Sequence, residues 1–118
     1  MSDAGEDGKI GSSQWVALCM AADVPDIGGL RIELEGREAI AVFRSGDEYF
    51  VTDDQCTHGN ASLCEGDVIE GEIECPFHRG MFDLRTGQPT GSPCTVPLRT
   101  YPAELRDGTI YADISLKK

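Results

Sequence analysis

Basic residues are scarce in this chain: ten Lys and Arg stand against 21 Asp and Glu, for a net charge of −11. So acidic a surface repels nucleic acid and anionic membranes, and it suits a protein that meets a basic patch on a partner. Long apolar runs are missing too. The longest, Trp15 to Ala22, is too short to span a bilayer. Residues 1–13 are polar and acidic, with no basic start and no apolar stretch, so no export signal is read there. A cytoplasmic protein with a flexible tail over 1–13 is the expectation. No G-x-G-x-x-G fingerprint occurs, which leaves nicotinamide or flavin chemistry to another protein. With 118 residues there is room for one ordinary domain, expected over 14–118, and none for a second catalytic one.

Turn-forming residues are plentiful: fourteen Gly and six Pro imply short strands, and no amphipathic helix of useful length is visible. Strands are expected at Trp15–Cys19, Leu30–Glu35, Glu38–Arg44 and Glu48–Thr52, the last two forming a hairpin. Val68–Ile69 and Glu72–Glu74 flank Gly71 as a second hairpin, and Met81–Leu84 runs to a Thr86–Gly87 turn. A proline-rich loop (Pro89, Pro93, Pro97) precedes a last hairpin, with arms Tyr101–Leu105 and Thr109–Ile114 around Asp107–Gly108. The fold class is all-β: an antiparallel β-sandwich base with a small inserted lobe at about 53–87.

The five cysteines are an odd number in a chain expected in a reducing compartment, which argues for thiols and metal ligands over disulfides. There are only two histidines, and each has a cysteine close by: Cys56-Thr57-His58, then sixteen residues, then Cys75-Pro76-Phe77-His78. Thiolate and imidazole are the side chains that bind iron, copper and zinc best. Two short pairs make a four-ligand site at little loop-closure cost. A zinc site of two cysteines and two histidines is one reading, although zinc fingers normally pair Cys with Cys and His with His. The mixed pairs suit two irons joined by sulfides, one iron taking both thiolates and the other both imidazoles.

The segment CTHGNASLCEGDVIEGEIECPFHRGMFDLRTG resembles the Rieske signature, C-x-H followed by C-x-x-H. Gly66, Gly71, Phe82–Asp83 and Thr86–Gly87 also look like that family's framework. The resemblance implies a Rieske-like fold whose lobe carries one [2Fe–2S] cluster, with Cys56 and Cys75 on the inner iron and His58 and His78 on the outer one. Neutral imidazoles make electron entry easier: two ferric ions, two sulfides and two thiolates sum to zero, whereas four thiolates would leave the cluster doubly negative. Respiratory Rieske proteins add a disulfide between the ligand loops, but the matching positions here hold Ala61 and Phe77, and Arg79-Gly80-Met81 offers no hydroxyl. Both departures imply a potential near the low end of the Rieske range, roughly −150 mV.

By the same resemblance the chain is similar to the ferredoxin component of bacterial aromatic-ring-hydroxylating dioxygenase systems. It would accept electrons from an NADH-dependent flavin reductase and pass them to a terminal oxygenase. The small subunit of an assimilatory nitrite reductase, a zinc-binding module and a redox sensor are alternatives. The oxygenase itself is excluded, because its second iron needs two more histidines, so no catalytic residue is assigned. Cys19, Trp15 and Phe43 are expected in the core, Cys64 as an ordinary packed thiol, and Cys94 as a packed or exposed one. No Lys or Arg occurs between Arg44 and Arg79, a stretch with Asp53, Asp54 and seven further acidic residues. Glu70, Glu72 and Glu74 alternate as if along one strand face and are candidates for a docking surface.

Overall fold

The computed structural model describes residues 14–57, 59–76, 79–91 and 96–115. The expected tail over 1–13, and Cys94, lie outside the described residues. In chain order the strands are β1 (Trp15–Met20), β2 (Gly29–Ile32), β3 (Ile40–Ser45), β4 (Glu48–Asp53), β5 (Asp67–Ile69) and β6 (Glu72–Glu74). They continue with β7 (Met81–Asp83), β8 (Pro89–Gly91), β9 (Thr100–Tyr101), β10 (Ala103–Arg106) and β11 (Thr109–Asp113). Short 3-10 turns occupy Ala21–Asp23 and Leu63–Glu65. No helix among the described residues is long and apolar enough to cross a membrane.

The strands form three antiparallel sheets, in the orders β1-β11-β10, β2-β3-β4-β9 and β5-β6-β7-β8. The third lies between β4 and β9 in the chain, so it is an insertion into the base, and through β8 it runs on to Gly91. What joins the parts is β3. Ile40, Ala41, Val42 and Phe43 are all wholly buried, as expected of an apolar run covered on both faces. With a period of two, Ile40 and Val42 enter one core with Val51, Tyr101, Ile110 and Ala112. Ala41 and Phe43 enter a second core with Cys56, Leu63, Ile73, Cys75 and Phe82. The base and the inserted lobe therefore share one wall.

Hairpin geometry follows the turn residues. Glu70 and Gly71 both take positive φ (49° and 83°), as do Asp107 and Gly108 (49° and 80°), the combination two-residue hairpins favour. Glu70 is thus a turn residue and does not continue the alternation of Glu72 and Glu74, which leaves two acidic residues on the strand face.

Three other expectations change. The arm read as Tyr101–Leu105 breaks at Pro102, which has no N–H for a ladder. Tyr101 pairs with Val51 of β4, while Ala103 to Arg106 pair with β11. Pro89 begins a short strand, β8, at the sheet edge, where a missing donor is tolerated. Trp15 is not core: it is 36% exposed and lies beside the Arg106 guanidinium, 5.6 Å from the ring centre. Phe43 is buried as expected, and Cys19 packs half-buried against the base core.

Candidate metal centre

Two loops carry the cysteine–histidine pairs, and they are built alike. The first leaves β4 through Asp54 and returns into the turn at Leu63. Its stem is held by Leu63 N–H donating to Asp54 O at 2.7 Å, a Gln55–Ser62 bridge, and Cys56 N–H donating to Ala61 O at 2.9 Å. The second spans the end of the β6–β7 ladder, closed by Cys75 N–H donating to Gly80 O at 2.7 Å. In each, the cysteine sits at the base and bonds the carbonyl five residues on. Arg79 reaches the closure in a left-handed conformation, φ 59°.

Both cysteines are buried, Cys56 at 2% and Cys75 at 1% exposure, and both belong to the core that holds Ala61, Leu63, Phe82, Leu84 and Leu98. Gly66 brings the loops together. A Cβ there would lie 1.9 Å from Glu74 O, the carbonyl just before Cys75, so only glycine lets the turn after the first loop pass the foot of the second. His58 and His78 lie outside the described residues.

The sequence did not single out Asp54. Counted there among surface acids, it is 3% exposed and holds the first loop from beneath. Its carboxylate accepts from Ser62 Oγ (2.7 and 2.9 Å) and Cys64 N–H (3.2 Å), and pairs with Arg31 at 3.5 Å. Cys64 packs against the lobe core, and burial, then the hydrogen bond to Asp54, pushes its thiol pKa well up, so it stays a neutral thiol. Asp53 is committed too: it accepts from the Tyr101 hydroxyl at 2.6 Å and faces Arg37 and Arg99 at 3.4 and 3.8 Å. Burial, and then Asp53, raise the Tyr101 pKa. At the rim, Thr57 Oγ1 donates to Val96 O at 2.7 Å, tying the first loop tip to an exposed valine.

Two buried sulfur donors at matched loop bases, in an apolar setting, fit the thiolate side of an iron–sulfur cluster. Residues 14–102 match the profile of the Rieske [2Fe-2S] domain. This chain belongs to the Rieske family. Ferredoxin CarAc of Metapseudomonas resinovorans is 44% identical over 97 residues, covering 82% of this chain and 91% of that protein. The ferredoxin component of the p-cumate 2,3-dioxygenase system of Pseudomonas putida is 42% identical, covering 84% and 85%. Among solved structures, the complex of reduced oxygenase and oxidized ferredoxin in carbazole 1,9a-dioxygenase contains a chain with TM-score 0.80 and 43% identity, covering 88% of this chain and 95% of that one. The Rieske chain described here has a Rieske-type [2Fe–2S] cluster as its cofactor and is an electron-transfer component, not a catalytic enzyme. Bound here, the cluster would supply a one-electron couple, and Cys56 and Cys75 would offer it thiolates from a dry, braced seat.

Proposed function

We propose that this protein carries single electrons from an NADH-dependent flavin reductase to a terminal aromatic-ring-hydroxylating dioxygenase. Cys56 and Cys75 hold the inner iron, and His58 and His78 the outer one. Residues 14–118 act as one Rieske domain in the cytoplasm, where Cys19 and Cys64 stay as thiols. The observation that carries the reading is the burial of Cys56 and Cys75 in one core at the bases of two identically closed loops. Its likeness to ferredoxin components of dioxygenase systems supports the pathway. The half-buried Glu72 and Glu74, with the exposed Glu70 at the turn, give the lobe an acidic flank that steers a basic partner.

The test is reconstitution. Purified protein should hold two irons and two acid-labile sulfides per chain. NADH-driven oxygenase turnover should stop when this component is omitted. His58→Cys or His78→Cys, if loaded, should lower the potential, because an anionic ligand replaces a neutral one. A protein containing only zinc, or one locked in a permanent complex with a large nitrite reductase subunit, would overturn the assignment.

A further inference from the structure

The chain has seven arginines, and six are engaged. Arg31 pairs with Glu33 and Asp54, Arg37 and Arg99 with Asp53, Arg44 with Asp26, Arg85 with Glu48, and Arg106 with Glu104. Arg79 alone has no ion pair among the described residues. It is exposed, and it follows His78 directly. It is also held at φ 59°, a conformation that disfavours side chains and suits glycine. Glycine would make this turn with less strain, and acidic residues abound in the lobe, yet a cation stands here unneutralised. No other Lys or Arg lies between Arg44 and Arg85.

We infer that Arg79 is a docking contact at the point where electrons leave: a cation kept open for a carboxylate that a redox partner presents. The inference rests on the reading that His78 ligates the outer iron. Around this one unpaired cation the lobe is acidic, Arg85 being matched by Glu48, so a partner with a basic surface and a single inserted carboxylate would be both attracted and set in register. The planar guanidinium suits a carboxylate better than an ammonium does.

The test uses the dithionite-reduced holoprotein and two small one-electron acceptors of opposite charge, ferricyanide and hexaammineruthenium(III). In each case the cluster loses one electron and the acceptor's metal gains it, with no bond or proton exchanged. Arg79→Gly should keep the iron content, visible spectrum and thermal midpoint, since the backbone favours glycine there. It should slow reoxidation by ferricyanide about tenfold at low ionic strength and speed reoxidation by the ruthenium cation. Both effects should fade by roughly 0.5 M salt, and Arg79→Lys should behave much like the parent. Independently of electron transfer, phenylglyoxal should modify Arg79 before the six paired arginines. Equal rates with both acceptors, slowing with both, or Arg79 labelled no faster than Arg99 would overturn the inference. A parent protein that dithionite cannot reduce would instead defeat the cluster reading itself.

Discussion

Asp54→Ala should loosen the metal centre from beneath without touching a ligand. The carboxylate is 3% exposed and serves Ser62 Oγ at 2.7 Å, Cys64 N–H at 3.2 Å and Arg31 at 3.5 Å. Each hydrogen bond to a buried charged group contributes about 1.5–3 kcal/mol, and orphaned donors add a desolvation cost. Ser62 is half-buried and can turn to water, and the Arg31 side chain is 50% exposed and keeps Glu33 at 3.0 Å. The net loss is therefore about 3 kcal/mol, with roughly half that for Asp54→Asn, which keeps an acceptor oxygen. In a domain of this size that lowers the thermal midpoint by roughly 10 °C. Bleaching of the cluster colour during heating or in a urea series reads the effect, since the stem from Asp54 to Leu63 carries Cys56. Arg31→Ala is the control, expected to cost less than about 1 kcal/mol because that side chain is half in water. If Asp54→Ala bleaches at the parent midpoint, or Arg31→Ala does equal damage, the account of the stem is wrong.

Gly66→Ala should cost about 2–4 kcal/mol and lower the yield of iron-loaded protein, because its Cβ would meet Glu74 O at 1.9 Å. Gly59→Ala, with nothing within 4 Å of the added carbon, should stay within about 0.5 kcal/mol of the parent in urea titration. Tyr101→Phe removes the hydroxyl that donates to Asp53 at 2.6 Å and accepts from Arg37 at 2.7 Å, and should cost about 1–2 kcal/mol in the same titration. Cys64 titrates above the ordinary thiol range because of burial first and Asp54 second. Folding therefore favours the protonated thiol: its contribution is complete below the unfolded thiol value, about 8.5, and declines as pH rises above it. Cys64→Ala should flatten that alkaline decline in stability, and Cys64 in the parent should react with iodoacetamide at pH 8 far more slowly than glutathione does.

The parts of the fold that the sequence revealed are those fixed locally. The Asp107–Gly108 turn and the alternating β3 and β4 arms could be read directly, because turn chemistry and side-chain period act over a few residues. The double burial of β3 was latent in its unbroken run from Ala39 to Phe43, a pattern that reads equally well as a one-sided strand. The break at Pro102 was visible as a residue but not as an event. Whether a chain bends within a hairpin or changes sheets depends on what waits beside it, here β4. Trp15 misled for a related reason: an aromatic side chain defaults to the core unless a partner such as Arg106 holds it on the surface. The cysteine–histidine spacing was fully legible, whereas the support of the site was not. Asp53 and Asp54 are adjacent acids in sequence, yet one is tied to Tyr101 and two arginines and the other lies under the first loop. Charge counts cannot separate them.

These bracing contacts bear on the electron-transfer role. A one-electron carrier works fastest when its frame hardly moves between charge states, so its seat should be stiff where it is buried and open only at the edge an electron crosses. Here Cys56 and Cys75, the proposed sulfur donors, sit at the bases of two loops, each closed by a backbone bond across five residues. One loop rests on a buried carboxylate, and the other is pressed against Gly66. Phe43, reaching across from β3, ties that seat to the base. Thr57, Asn60, Pro76 and Arg79 are exposed on the loops, as is Gln55 on the outer side of the first stem. Among the described residues, rigidity beneath and accessibility above thus come from the same two loops: the cysteines at their bases are buried, and the residues next along each loop, Thr57 and Pro76, are exposed.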